Sequence, residues 1–261
     1  MDGERFLLEI AGLTKDFRGL RAIDDHSLRV GAEQILGVIG PNGAGKTTLF
    51  NLITGLLLPT RGTIRFLDQD IVRLRPDAIA RLGIARTFQN IRLFGAMTAL
   101  DNVRVAQQLH TPCNPFSVLT SAPPFVRRER ELAESSRELL RIFGLERYED
   151  RPAGSLPYGD QRRLEIARAL AMRPRLLLLD EPTVGMNPRE SQDLLELIIR
   201  VREMYRLSIM LVAHDLRLVM GLCHTIQVLT NGRLIAEGPP AVIRSHPGVI
   251  EAYLGRAHAG A

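Results

Sequence analysis

Gly40-Pro41-Asn42-Gly43-Ala44-Gly45-Lys46-Thr47-Thr48 is a run whose residue types suit phosphate chemistry. Its glycines let backbone N–H groups converge on anionic oxygens without Cβ clashes. A helix starting near Lys46 would aim its N-terminus at the same oxygens. The spacing G-x-x-x-x-G-K-[ST], with a strand before and a helix after, is that of a nucleotide phosphate loop. Lys46 is then the compact charge for the β- and γ-phosphates, a place that a planar guanidinium fills poorly. Thr47 offers its hydroxyl to Mg²⁺. The lysine itself is telling, because Lys15 and Lys46 are the only lysines and the chain otherwise writes its positive charge as arginine.

A second run complements the first. Leu176-Leu177-Leu178-Leu179-Asp180-Glu181-Pro182 reads as a short buried strand ending in two acids. Charge at the end of a buried strand is costly, so it asks for a partner. Asp180 is placed to hold Mg²⁺ through water, and Glu181 to orient or deprotonate an attacking water. The guanine-reading pattern N-K-x-D is absent, which excludes a GTPase.

The elements that must position these groups follow from periodicity. Residues 5–10 and 28–38 read as strands, with Ile35–Ile39 buried. A helix is expected from about 46, a turn at Thr60–Thr63 and a strand at 64–67. From about 76 to 175 the texture turns to helices and loops, including a helix over Glu131–Phe143 and an irregular proline-rich loop over Thr111–Pro124. Helix 189–205, strand 208–212, helix 215–222 and strands near 226–229 and 233–237 complete the chain, and 257–261 read as a frayed tail. Strands alternating with helices imply a mostly parallel sheet covered on both faces, with the helical stretch inserted between two halves of an α/β core.

The 261 residues, 45% hydrophobic and 24% charged, fit one or two globular domains and exclude wholesale disorder and a disulfide framework. No apolar run approaches the roughly 20 residues of a membrane span, and the start does not read as a secretory signal. Cys113 and Cys223 show no metal-like spacing, which suits a reducing cytosol. The net charge of +5 is spread along the chain, so no nucleic-acid partner is expected.

Ser155-Leu156-Pro157-Tyr158-Gly159-Asp160-Gln161-Arg162-Arg163-Leu164-Glu165-Ile166-Ala167-Arg168-Ala169-Leu170 resembles the signature segment of ATP-binding cassette (ABC) ATPases, usually written L-S-G-G-Q before a helix. It departs from that pattern at Pro157, Tyr158 and Asp160. The resemblance covers about residues 5–256. It implies an α/β P-loop NTPase cassette with a RecA-like core, an antiparallel β subdomain and a helical insertion. The implied divisions are 5–92 (core with β subdomain), 93–167 (helical subdomain ending in the signature), 168–256 (second part of the core and C-terminal extension) and 257–261 (tail).

The same resemblance assigns roles. Leu156, Pro157, Gly159 and Asp160 would cover the γ-phosphate of ATP held by an opposite subunit. Gln89 matches the glutamine that joins core to helical insert, with catalytic and Mg²⁺-side roles. His214 matches the switch histidine on the γ-phosphate. Phe17 stands where an aromatic stacks on adenine, and Val184-Gly185-Met186-Asn187 occupies the D-loop, with Asn187 where Asp is commoner. Gly83–Asn102, the proline-rich insert, Leu156-Pro157-Tyr158-Gly159 and Pro247–Gly255 look like the ATP-binding subunit of branched-chain amino acid importers. Such a subunit would work with a second cassette, two integral membrane permease subunits and an extracytoplasmic solute-binding protein, on the cytoplasmic face of the plasma membrane. Importers of urea or amides are the nearest alternative. A coiled-coil DNA-repair ABC ATPase lacks room between loop and signature, and a P-loop kinase explains neither the signature nor the setting of His214.

Overall fold

A computed structural model describes residues 6–110, 123–213 and 216–254. The chain runs β1 (Leu8–Phe17), β2 (Leu20–Val30), β3 (Ile35–Ile39), α1 (Lys46–Ile53), β4 (Arg61–Phe66), β5 (Gln69–Asp70), α2 (Pro76–Leu82) and β6 (Ile84–Arg86). Then come α3 (Ala99–Gln107), α4 (Pro123–Ile142), α5 (Tyr158–Ala171), β7 (Leu176–Asp180), α6 (Pro188–Tyr205) and β8 (Ser208–Val212). The last elements are α7 (Leu216–Leu222), β9 (Thr225–Thr230), β10 (Arg233–Gly238), α8 (Pro240–Ser245) and α9 (Pro247–Leu254).

Two sheets result. One is antiparallel, in the order β2-β1-β4-β5. The other has the order β10-β9-β3-β8-β7-β6 and is parallel except for the terminal β9–β10 pair. The all-apolar runs of β3 and β7 are explained by burial on both faces. Leu176 and Leu178 point into the core shared with α1 and the antiparallel sheet, while Leu177 and Leu179 point into the core shared with α5 and α6. β3 and β7 flank β8, so their carboxyl ends open onto one edge, where α/β sheets bind ligands.

α3 packs against α4 and α5 to make the helical region. Thr98 caps α3 by accepting from the Asp101 N–H at 3.0 Å. Buried Asn102 closes the turn before it, donating to the Phe94 and Thr98 carbonyls and accepting from the Phe94 N–H.

Several expectations shift. The strand expected over 28–38 is broken by a turn at 31–34, where the Gln34 amide oxygen accepts from the Gly31 N–H at 2.7 Å. β1 continues to Phe17, because β2 pairs with it along that length. β6, absent from the sequence reading, exists because Ile84–Arg86 pairs in register with Leu176–Leu178. Pro123 and Pro124, assigned to the loop, open α4, where a first-turn proline loses no helical bond. Residues 111–122, with Cys113, and the tail 257–261 lie outside the described residues.

His26 on β2 is fully buried, and burial pushes its imidazole from 6.5 down to about 4, against the opposing side chain of Gln227. The folded state therefore resists protonation that the unfolded chain accepts. Its contribution to stability is complete above pH 6.5 and is lost as pH falls towards about 4. At pH 5 the loss is about 2 kcal/mol. Urea unfolding at pH 7 and pH 5 should show that loss in the wild type and much less of it in His26→Gln. Equal losses in the two proteins would contradict the assignment.

Candidate functional site

The phosphate-loop sequence forms the loop that its spacing predicts. It leaves the buried end of β3 and closes on α1. All three of its glycines have positive φ, Gly43 at 80, and two of them also meet backbone closely. Gly40 has φ 152, and a Cβ there would lie 2.1 Å from the Leu229 carbonyl oxygen. Gly45 caps α1 at φ 105, and its Cβ would lie 2.5 Å from the Ala22 carbonyl oxygen. Lys46 folds back over its own loop, donating from Nζ to the carbonyls of Gly40 at 2.7 Å and Pro41 at 3.0 Å. Burial lowers its pKa, against the attraction of Glu181 and Asp180.

A cavity of about 750 Å³ lies over this loop. Phe17, Asn42–Thr48, Gln89 and Glu181 line it, and Gly40 and Pro41 lie behind Lys46. Phe17 is 40% exposed, so it is a wall residue rather than core. Leu20, Arg21, Ala22 and Asn231 complete the lining and were not singled out from sequence. Arg21 is held by Asp16 and Asp24, each at 2.9 Å. A cleft of about 840 Å³ on the other side of Arg21 is larger but has no phosphate loop in its walls.

The two acids after β7 take different roles. Asp180 is buried, and its Oδ2 accepts from Arg86 Nη2 at 2.8 Å. The same guanidinium donates to Asn51 Oδ1 at 2.7 Å and lies over the rings of Phe50 and Phe88. Both partners are almost fully buried, so removing either would strand a charge, at about 3–5 kcal/mol. Asp180 Oδ1 is buried without a hydrogen-bond partner. That orphan oxygen beside the phosphate loop suits a divalent cation. Glu181 has a left-handed φ of 50, an uncommon conformation for a non-glycine residue, and its N–H donates to the Val212 carbonyl at 2.8 Å. Its Oε2 accepts from Gln89 Nε2 at 3.0 Å. Two residues expected to have catalytic roles, Glu181 towards the attacking water and Gln89 at the junction of core and helical insert, are thus in contact across 92 positions of sequence.

The signature residues lie elsewhere, and none lines the cavity. Leu156 is core at 4% exposure, and its N–H donates to the Ala153 carbonyl while its own carbonyl accepts from Gln161 Nε2 at 2.8 Å, so it supports the start of α5. Pro157 is the N-cap of α5, and Gly159 and Asp160 sit in its first turn. Asp160 complements the positive helix end and pairs with Arg147 at 3.7 Å, a local reason for its charge. Asn187 caps α6 in a reciprocal capping box with Glu190. His214 lies outside the described residues. Among the described residues, no helix is long and apolar enough to cross a membrane.

Comparison with known proteins accords with this geometry. The ABC transporter family pattern matches residues 23–184, and that of the branched-chain amino acid ATP-binding cassette transporter matches residues 233–259. The chain is 47% identical to the high-affinity branched-chain amino acid transport ATP-binding protein BraF of Pseudomonas aeruginosa, over 97% of this chain and 99% of that one. It is 45% identical to LivG of Escherichia coli K12, of the same description, over 96% and 98%. An ATP-binding cassette of an ABC transporter, solved in its ADP conformation, superposes with TM-score 0.83 at 30% identity over 96% of this chain and 99% of that one. The architecture, the cavity and these relatives agree: the chain belongs to the ABC transporter family of ATP-binding cassettes, in its branched-chain amino acid transport group.

Proposed function

We propose that this chain binds and hydrolyses ATP to energise uptake of leucine, isoleucine and valine through separate membrane subunits. The observation that carries the hydrolytic reading is the 3.0 Å contact of Gln89 with Glu181 at the rim of the phosphate-loop cavity. The choice of solute rests on the relatives, whose names specify branched-chain amino acid transport.

In this reading Lys46 holds the β- and γ-phosphates, and the backbone of residues 42–48 wraps them. Phe17 stacks on adenine. Glu181 orients and deprotonates the attacking water, and Gln89 fixes the carboxylate. Thr47 and Asp180 would hold Mg²⁺, with Gln89 beside them; Mg²⁺ neutralises charge developing on the phosphates. The signature end of α5, which does not line the cavity over its own phosphate loop, serves the ATP of a second cassette, identical or paralogous. His214 completes the site from the segment after β8.

Closing and opening of the pair would drive two integral membrane permease subunits at the cytoplasmic face, with an extracytoplasmic solute-binding protein choosing the solute. Leu93 packs on the core, while Phe94 is half exposed and is the residue offered to a permease. The test is uptake of labelled leucine, isoleucine and valine in source cells carrying Lys46→Ala at the native locus. Selective loss of that uptake is expected. Unchanged uptake alongside active wild-type ATPase would discard the solute assignment and leave the cassette.

A further inference from the structure

Arg162 and Glu165 stand one turn apart on α5 and form an ion pair at 2.8 Å, with side chains 0% and 2% exposed. On a helix surface such a pair contributes little. Here both ends are spent on the loop that carries Gln89. Arg162 Nη1 donates to the Phe88 carbonyl and Nη2 to the Gln89 carbonyl, both at 2.7 Å. Glu165 Oε1 accepts from the N–H of Phe88 at 3.4 Å and of Arg92 at 3.2 Å. Four backbone groups around Gln89 are thereby fastened to the helix whose first turn is the signature segment.

A third element joins them. The Tyr158 hydroxyl accepts from Arg162 Nη2 at 3.4 Å, and the Tyr158 ring lies against Gly185, in the loop that follows Glu181. The signature end thus reaches the Gln89 backbone through the buried Arg162 guanidinium and the Glu181 loop through the Tyr158 ring.

We infer that Arg162 and Glu165 are positioning residues that tie the Gln89 backbone to the signature helix, so that a phosphate docking on the signature end moves Gln89 relative to Glu181. The inference rests on the reading of Gln89 as a residue of the hydrolytic site. It supplies a direct route between the two ATP sites of a cassette pair. Whatever the partner's nucleotide does to the N-terminus of α5 is passed through the guanidinium to the Gln89–Glu181 contact. Arg162 can make this connection because its planar fork reaches two carbonyls at once, which a lysine ammonium does less well.

The test is a double-mutant cycle with Gln89, in the full chain. Arg162→Met/Glu165→Leu removes both charges while keeping volume, so neither is stranded. Arg162→Lys is the milder variant and serves if the apolar pair does not fold. Expected for either is an unchanged Kd for ATP with Mg²⁺, a kcat lowered about tenfold or more for the apolar pair and less for lysine, and a Hill coefficient for ATP reduced towards one. In a Gln89→Ala background the same substitutions should cost almost nothing further, because the residue they act through is gone. A pair effect of equal size in both backgrounds, or an unchanged kcat with Gln89 present, would overturn the strut and leave a purely structural ion pair. Gln89→Ala with wild-type kcat would instead remove Gln89 from the hydrolytic site, and the strut with it.

Discussion

Lys46→Ala is expected to weaken binding of ATP with Mg²⁺ by about 10²–10⁴-fold and to abolish measurable turnover. The ammonium is the one lysine charge at the cavity, and it donates to the carbonyls of Gly40 and Pro41. Phosphate oxygens would replace those neutral acceptors with charged ones, and each charge-assisted bond contributes about 1.5–3 kcal/mol. Losing two such bonds gives the stated range. The fold should hardly notice. Burial already disfavours the charged ammonium, and the backbone of the loop is set by glycines rather than by Lys46. The discriminating measurement is thermal unfolding with and without ATP and Mg²⁺. Saturating ligand at 100 times Kd stabilises the wild type by about 2.7 kcal/mol. Lys46→Ala should unfold near the wild-type temperature without nucleotide and gain almost nothing from it. Turnover close to wild type would remove the phosphate-loop assignment.

Where the chemistry sits in contiguous residues, it was readable in advance. The loop from Gly40 to Thr48 and the run from Leu176 to Glu181 each carry their own strand, turn and charge, so spacing alone places them. What spacing misses is made across the sheet. Arg86 reads as one arginine among many, and its role exists only because β6 pairs with β7 and lays it against Asp180. β6 itself is three residues long and has no periodicity to detect. Arg162 and Glu165 look like a solvated helical pair until the Gln89 loop is packed on them. The signature segment shows the opposite case. Its motif is legible, yet its place outside the lining of the phosphate-loop cavity is a property of the folded chain that no spacing reveals.

Glu181→Gln separates binding from hydrolysis and is expected to lower kcat by about 10²–10⁴-fold, the contribution of a positioned general base. The substitution is nearly isosteric. The new amide oxygen can still accept from Gln89 Nε2, as the carboxylate does at 3.0 Å, so the geometry at the end of β7 is kept. The left-handed backbone at Glu181 is no harder for glutamine than for glutamate. What is lost is the negative charge and the capacity to take a proton from water. Affinity for ATP should stay within about threefold, because the phosphates are held by Lys46 and the loop amides and the removed charge repelled them. If the signature end of α5 serves the partner's nucleotide, the unhydrolysed ATP then holds two cassettes together. Sedimentation of Glu181→Gln should show a dimer with ATP and Mg²⁺ that separates when ADP replaces ATP. In the wild type the same species should be transient. A kcat within threefold of wild type would take the general-base role from Glu181. Absence of an ATP-dependent pair, even with the natural partner cassette present, would remove the reading in which the signature end of α5 serves the partner's nucleotide.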